Sequence, residues 1–267
     1  MATIAMDVPD RQVSIGRVFS RAFATIGGNP VTTIGIAFLF GALPRFLLGL
    51  IVRPLRASDP TKMNVGTGLI ITLGSGVLGI AFYAIVQGSL VRATVDHEDG
   101  SKASLGESMM SGLRVALPLI GMAILSAIGL MVGMVLFIVP GIILYVMWCV
   151  AAPALVDERL GVFSAFGRSR ALTKGYRWRI LGLLLVLILT TYLVMGLIAV
   201  VFVTGRSFSL TAFAAAQQNQ SAALMIGMLL VQTLFAAVYG VCLASLFVEL
   251  RNAKDGPSKR ALADVFR

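Results

Sequence analysis

The pattern of hydrophobic and polar positions consists of long apolar runs joined by short polar segments. A helix of about 20 apolar residues crosses the hydrocarbon core of a bilayer, and only the fourth run, at about 16 residues, is clearly shorter. The pattern predicts an all-α integral membrane protein with six transmembrane helices, paired along the chain as three hairpins. The runs lie at about residues 31–52, 66–91, 115–139, 141–156, 180–203 and 222–248.

The same pattern divides the chain into a membrane domain and two polar tails. Residues 1–30 form an N-terminal tail, in which residues 13–25 have the spacing of a short amphipathic helix. Residues 31–248 form the membrane domain. Residues 249–267 form a basic C-terminal tail. We therefore expect one membrane domain with polar segments at both ends.

The third and fourth runs are separated only by Pro140 and Gly141. Because proline and glycine commonly form turns, we expect a tight turn at this dipeptide. The fourth run also contains Pro153 and is short for a full crossing unless its helix continues through Asp157. Two interpretations stay open: two full spans joined by a tight turn, or a re-entrant pair.

Lys and Arg residues are distributed unevenly among the polar segments. If the N-terminus is cytoplasmic, the cytoplasmic segments are the two tails and the loops at residues 92–114 and 157–179, and they hold 17 of the 22 Lys and Arg residues. Loops that carry an excess of Lys and Arg stay on the cytoplasmic side of a membrane. We therefore expect both termini to be cytoplasmic, with short interfacial helices on that side. The opposite side holds only Arg53, Arg56, Lys62 and Arg206.

Composition agrees with a membrane location. Hydrophobic residues make up 58% of the chain and charged residues 13%, with a mean hydropathy of +0.92. The formal net charge of +10 could indicate nucleic acid as a partner. Here the cations flank apolar runs, which favours the lipid bilayer and its anionic phospholipids instead. We expect no nucleic-acid partner, whereas membrane-protein partners and the oligomeric state stay open.

Residues suited to catalysis or metal binding are scarce. The twelve acidic residues all lie in loops, in tails or at the ends of runs, and the single histidine, His97, stands in the acidic stretch 96–99. Adjacent residues cannot wrap an ion well, so a solvated loop is favoured over a metal site there. Neither a P-loop nor an HExxH motif occurs, and Cys149 and Cys242 give no metal spacing. We expect no cofactor, no metal and no enzyme activity of a familiar type.

Arg45 is the one charged residue inside an apolar run. It stands about 12 Å below the end of the first run at 1.5 Å per residue, and Pro44 precedes it. A long arginine side chain can extend outward to the headgroups of the outer leaflet. Alternatively, the guanidinium binds a phosphate or carboxylate in a cavity or lipid site. The absence of an acidic partner in a neighbouring run favours the first interpretation.

The second run is rich in small residues, including Gly74, Ser75, Gly76 and Gly79. Small residues four positions apart allow helices to approach closely, which is the ordinary explanation. An unwound helix at a transport site would show the same composition. Both interpretations stay open.

The loop between the fourth and fifth runs holds the densest group of cations. It predicts a short helix from about Val162 that Gly175 ends, with Asp157 and Glu158 paired either to Arg159 or to the basic helix. Four apolar side chains are expected to face lipid: Val162, Phe163, Phe166 and Leu172. The residues expected to contact anionic headgroups are Arg45, Arg168, Arg170, Lys174, Arg177, Trp178 and Arg179.

This loop and the run before it also contain a motif of specific residues. These are Pro140-Gly141-Ile142, Trp148, Ala152-Pro153-Ala154, Asp157-Glu158, Gly161, Ala165-Phe166, Arg168-Ser169, Leu172-Thr173-Lys174-Gly175 and Trp178. The motif resembles that of the YciC-like family, which is close to the membrane domain of glycerophosphoryl diester phosphodiesterases. The resemblance implies a polytopic protein of the bacterial inner membrane. It does not extend to hydrolase activity, because the phosphodiesterase domain uses paired histidines and this chain has one.

Three functional hypotheses follow. In the first, a non-catalytic membrane protein contacts anionic lipid or organises partner proteins through its basic interfacial helices. In the second, a transporter or channel carries a small or lipid-derived solute past Arg45 and the glycine-rich second run. In the third, the chain is a membrane enzyme, which its single histidine disfavours.

Overall fold

The computed structural model describes residues 13–57, 65–98, 105–203 and 222–256, which form helices joined by short turns, with no strand among them. Long, continuous helices are expected here, because lipid offers no hydrogen-bond partner to an open backbone N–H or C=O group. The helices are α1 (Ile15–Gly28), α2 (Pro30–Ile36), a π-helical turn (Ala37–Ala42), α3 (Leu43–Ala57), α4 (Val65–Glu98), α5 (Leu105–Arg114), α6 (Ala116–Leu136), α7 (Ile138–Trp148), α8 (Ala151–Asp157), α9 (Val162–Thr173), α10 (Arg177–Val203) and α11 (Ala222–Asp255).

Six segments of the described residues are long and apolar enough to cross a membrane, which confirms the prediction of a multi-pass α-helical membrane protein. Two of them run further than the apolar pattern predicts, because α4 and α11 continue as helices into charged sequence. The six segments are Pro30–Val52, Gly66–His97, Ala116–Leu136, Ile138–Asp157, Arg177–Val194 and Ile226–Asp255.

The first of these segments is irregular around Pro44. Proline has no N–H to donate to the carbonyl four residues earlier, and its ring clashes with that carbonyl. The chain forms the π-helical turn Ala37–Ala42 directly before Leu43 and Pro44. Such turns are rare and often mark functional sites. Here the widened turn sets the direction of α3, and with it the position of Arg45.

The turn between α6 and α7 does not lie at Pro140-Gly141, so this prediction is wrong by a few residues. The helical conformation is interrupted at Phe137, whose φ of −164° and ψ of 145° are extended. Pro140 lies in the first turn of α7, where a missing N–H costs nothing. Gly141 allows α6 and α7 to approach closely, because a Cβ atom placed on Gly133 would lie 3.1 Å from the Cα atom of Gly141.

The fourth span is bent at Cys149 and Val150, where α7 ends and α8 begins. Pro153 causes the break, because it cannot donate a hydrogen bond to the carbonyl of Cys149. Together α7 and α8 cover 20 residues, or about 30 Å at 1.5 Å per residue. That length suits a full crossing.

One end of the molecule is tightly packed around charged residues. We call it the charged layer: α1, α8, α9 and residues 249–255 of α11. Large side chains are fully buried in or beside it, among them Leu90, Leu172 and Phe247. By contrast, the parts of α4, α10 and α11 that lie furthest from this layer along the chain expose Ile70, Leu193, Leu230 and other apolar side chains. Apolar surface of this extent belongs against lipid.

Two glycines of α6 provide a test of the packing. A Cβ atom on Gly129 would lie 2.6 Å from the Trp148 ring, whereas one on Gly121 would meet nothing within 4 Å. We expect Gly129→Ala to destabilise the protein by about 1–3 kcal/mol through overpacking. Gly121→Ala should be neutral or slightly stabilising. Thermal unfolding of the two purified variants in detergent measures the difference, and equal melting temperatures would contradict this packing of α6 on α7.

Candidate functional site

The charged layer is built around a buried carboxylate, that of Glu249, which is 7% exposed. Its Oε1 atom accepts a hydrogen bond of 2.7 Å from Nε of Arg17. Its Oε2 atom lies 3.4 Å from Nη1 of Arg21. Since a buried carboxylate is costly unless it is paired, these two contacts fix α1 against α11.

A second set of ion pairs joins α9 to its neighbours. Nε of Arg168 donates to both carboxylate oxygens of Glu158 at 2.9 Å, and its Nη2 contacts Asp255. Hydrogen bonds to Asp255 and then to Glu158 raise the pKa of Arg168 above its usual value. Arg251 of α11 pairs with Asp157 at the end of α8. The α8–α9 segment and the end of α11, which are distant in sequence, therefore meet through arginine–carboxylate contacts.

Several predictions for this region are settled by the structure. The basic helix is confirmed as Val162–Thr173, and Gly175 follows it with a φ of +93°, a conformation that glycine adopts easily. The pairing of Glu158 with the basic helix is also confirmed, through Arg168. Ser169 donates a hydrogen bond of 2.7 Å to the carbonyl of Met147 and ties the helix to α7.

The prediction that Leu172 and Phe166 face lipid is wrong. Leu172 is fully buried, and the Phe166 ring packs 4.8 Å from the Trp148 ring. The loop is short and basic, yet α9 packs on α7 and α8. This packing buries the face of α9 that carries Leu172 and Phe166. Phe163, by contrast, is exposed as predicted, and Val162 is partly buried.

Beside the ion pairs lies an exposed group of cations and one tryptophan. We call the group formed by Arg170, Lys174, Trp178 and Arg179 the basic rim; all four side chains are exposed, Trp178 to 84%. Arg179 also donates a hydrogen bond of 3.1 Å to the carbonyl of Val13. The headgroup contact predicted for these residues stays a prediction, as does that of Arg168 and Arg177. The guanidinium of Arg168 is engaged by two carboxylates, and Arg177 is partly buried.

A second feature lies inside the membrane domain, between α3 and α4. We call it the Arg45 groove: an open cavity of about 640 Å³ lined by Arg45, Gly49, Val52, Ser75, Gly76, Gly79 and Tyr83, with apolar walls from Leu48 and Ile80. The structure thus brings Arg45 together with Ser75, Gly76 and Gly79 of the second run, which the transport hypothesis placed along one pathway. Arg45 stands seven residues before Val52, about 10 Å from the end of the span.

The groove continues into a smaller pocket of about 50 Å³, shared with α11. Arg45 and Tyr83 line both cavities, and the pocket adds Gln87, Gln232 and Tyr239. Nε2 of Gln87 donates to the Tyr83 hydroxyl at 3.0 Å, and the Tyr239 and Tyr145 hydroxyls are 2.6 Å apart. These uncharged polar residues were overlooked in the sequence. Their occurrence within apolar runs was the available signal, because polar groups in a span need partners inside the protein.

Side chains suited to metal binding do not assemble in the described part of the chain. No set of three or more His, Cys, Asp or Glu side chains lies together in residues 13–57, 65–98, 105–203 and 222–256. His97 instead lies against α1, since a Cβ atom on Gly28 would be 2.5 Å from its ring. Arg92 pairs with Asp96 one turn along α4 at 2.9 Å.

Comparison with known proteins adds no relative. No family model matches the chain, and no match was found among curated proteins or solved structures. The helices themselves define the class, a multi-pass membrane protein. Its function must be argued from the charged layer and the Arg45 groove.

The pairing of Glu249 makes a testable prediction. Glu249→Gln leaves Arg17 and Arg21 without their carboxylate, so we expect a loss of about 1–3 kcal/mol in the free energy of unfolding. The control is Arg92→Gln, which breaks an exposed pair within one helix and should cost about 0.3–0.5 kcal/mol. Urea or heat unfolding in detergent compares them, and an equal effect of the two substitutions would argue against Glu249 as the anchor of α1.

Proposed function

We propose that this chain is a non-catalytic protein of the bacterial inner membrane that binds anionic phospholipids on the cytoplasmic side through its basic rim. In this proposal the six spans form three hairpins, both termini are cytoplasmic, and the charged layer lies at the cytoplasmic interface. The enrichment of Lys and Arg in the segments on that side supports this orientation.

The proposal depends chiefly on one observation: acidic residues of the charged layer are paired with arginines within the protein, whereas two cations of the rim, Arg170 and Lys174, contact no carboxylate of the described residues. Asp157, Glu158, Glu249 and Asp255 each contact an arginine of another segment. Within the described residues, by contrast, the side chains of Arg170 and Lys174 contact no carboxylate and are exposed. The rim therefore presents positive charge that its own protein does not neutralise.

The shape of the rim also suits a lipid surface. Trp178 is 84% exposed beside the first turn of α10, and Phe163 is 80% exposed at the start of α9. Tryptophan is enriched at the level of the headgroups, where its ring is in apolar surroundings and its N–H in polar ones. Each Lys or Arg near an anionic membrane surface contributes about 1 kcal/mol of attraction.

The proposal includes the resemblance of residues 140–178 to the YciC-like family, which implies the location in the bacterial inner membrane. Several residues of that motif have structural roles: Gly175 follows α9, Pro153 bends the fourth span, and Glu158 pairs with Arg168. We infer that the motif maintains the shape of the charged layer. The proposed role includes no hydrolase step and no cofactor. Binding of partner proteins to the charged layer fits the proposed role equally.

The Arg45 groove favours a second candidate function, transport of a small or lipid-derived solute. The groove places a cation next to small residues of the second span. The unwound helix considered for these residues is wrong, because α4 is a continuous helix from Val65 to Glu98. A path towards the charged layer is closed by close packing, since a Cβ atom on Gly240 would lie 2.5 Å from the Leu90 side chain. Transport would therefore require α4 and α11 to separate, and uptake into sealed vesicles would reveal it.

Lipid retention tests the proposed function. We expect the double substitution Arg170→Gln, Lys174→Gln to weaken binding of anionic phospholipid by about fivefold for each cation removed. The measurement is native mass spectrometry of the full-length protein after exchange into mixed phosphatidylglycerol and phosphatidylcholine nanodiscs.

The matched control removes two exposed cations elsewhere, with Arg92→Gln and Arg114→Gln. It carries the same change in net charge, so it separates the basic rim from a general effect of charge. Anionic-lipid retention that falls equally in both double variants, or in neither, would refute the role of the rim.

A further inference from the structure

We propose that the Arg45 groove is a binding site for the headgroup of an anionic phospholipid, with the phosphate on Arg45 and a headgroup hydroxyl on Gln87. The site is separate from the basic rim and does not depend on it. It lies within the membrane domain, between the first two spans and α11.

Arg45 supplies the charge for this site. Its guanidinium carries five N–H donors in a planar fork that matches the oxygens of a phosphate. Its side chain is exposed into the groove, and no acidic side chain lines either cavity. Since a cation at this depth is costly without a counter-charge, an anion that enters the groove gains strongly from contact with it.

Gln87 provides an independent indication of a ligand. Its side chain is 2% exposed and lines the small pocket, and its Oε1 atom has no hydrogen-bond partner within the described chain. Turning the amide by 180° would leave Nε2 free instead, so one polar atom of Gln87 is unpaired in either orientation. A buried polar atom without a partner is unusual in a folded protein.

The two observations together restrict the chemistry of the ligand. It must present anionic oxygens to Arg45 and, deeper, a group that can both donate and accept a hydrogen bond at Gln87. A hydroxyl does both. Gln232 and the hydroxyls of Tyr83 and Tyr239 lie around the same pocket and can bind further hydroxyls. A phosphate ester whose headgroup bears hydroxyls meets these requirements.

The walls of the groove indicate that the ligand is a lipid. Leu48, Val52 and Ile80 give the groove apolar sides, and it lies within the spans, where a headgroup can enter from the bilayer while its acyl chains stay in the hydrocarbon core. The groove extends from Val52 to Arg45, so a headgroup needs to move about 10 Å below the interface to reach the guanidinium. Gly49, Gly76 and Gly79 leave the space open, because a Cβ atom on any of them would meet nothing within 4 Å.

These glycines allow a sharp test. Gly79→Leu places a side chain in the groove, whereas Gly74→Leu adds the same side chain to open space on the same helix without lining it. The probe is phosphatidylglycerol, offered in vesicles to the delipidated full-length protein, and bound lipid is counted by native mass spectrometry. We expect Arg45→Gln and Gly79→Leu each to reduce the retained phosphatidylglycerol by about tenfold and Gly74→Leu to leave it unchanged.

Three further measurements identify the ligand and its site. Gln87→Leu should weaken the binding of phosphatidylglycerol, whose headgroup has hydroxyls, more than the binding of phosphatidic acid, whose headgroup has none. Millimolar inorganic phosphate should not displace the lipid; displacement would mean that the site takes a soluble anion and would overturn the lipid assignment. Arg170→Gln with Lys174→Gln should remove only the phosphatidylglycerol bound at the rim, and adding Arg45→Gln to this double variant should remove the remainder, which separates the site from the rim. Equal retention by Gly79→Leu and Gly74→Leu, or full retention by Arg45→Gln, would overturn the proposal.

Discussion

A buried carboxylate must be paired, and this constraint organises the charged layer. Glu249 is almost fully buried at the end of a long apolar helix, where an unpaired carboxylate would be very costly. Arg17 and Arg21 of α1 meet it from a segment more than two hundred residues earlier in the chain. Arg168 and Arg251 add pairs to the carboxylates of Glu158, Asp157 and Asp255, which are more exposed than that of Glu249.

The rest of the molecule follows from this arrangement. Pairing joins α1, α8, α9 and α11 at one end, and fully buried side chains such as Leu90 and Phe247 pack beneath them. The spans are less closely packed away from that layer, where their apolar side chains are exposed and lipid can cover them. The arginines inside the layer pair with its carboxylates, whereas Arg170 and Lys174 are exposed at its edge. In the proposed function this difference between paired and exposed cations sets where anionic lipid binds.

The sequence predicted features that depend on local composition. Apolar runs identified six helices, and Gly175 identified the end of α9, because hydrophobic length and backbone conformation are local properties. Prediction from the sequence failed where the position of a residue depends on a contact between segments that are distant in the chain. Leu172 looks like a lipid-facing residue of a basic helix until α9 packs against the charged layer. Pro140-Gly141 looks like a turn, yet the chain turns at Phe137 and uses Gly141 for close contact with Gly133.

The Arg45 groove shows the same limit. The sequence marked Arg45 and the small residues of the second span, but their shared cavity depends on how α3 leaves the π-helical turn. Tyr83 and Gln87 are four residues apart on one face of α4, but they line a pocket only because α11 lies beside them.

The central claim, that the basic rim lies against anionic headgroups, can be tested through Trp178. The chain has two tryptophans, so Trp148→Phe leaves Trp178 as the single tryptophan and keeps a ring against Phe166. In vesicles that contain lipids brominated near the headgroup, we predict stronger quenching of Trp178 fluorescence by brominated phosphatidylglycerol than by brominated phosphatidylcholine at equal mole fraction. Equal quenching by the two lipids, or none, would contradict the claim.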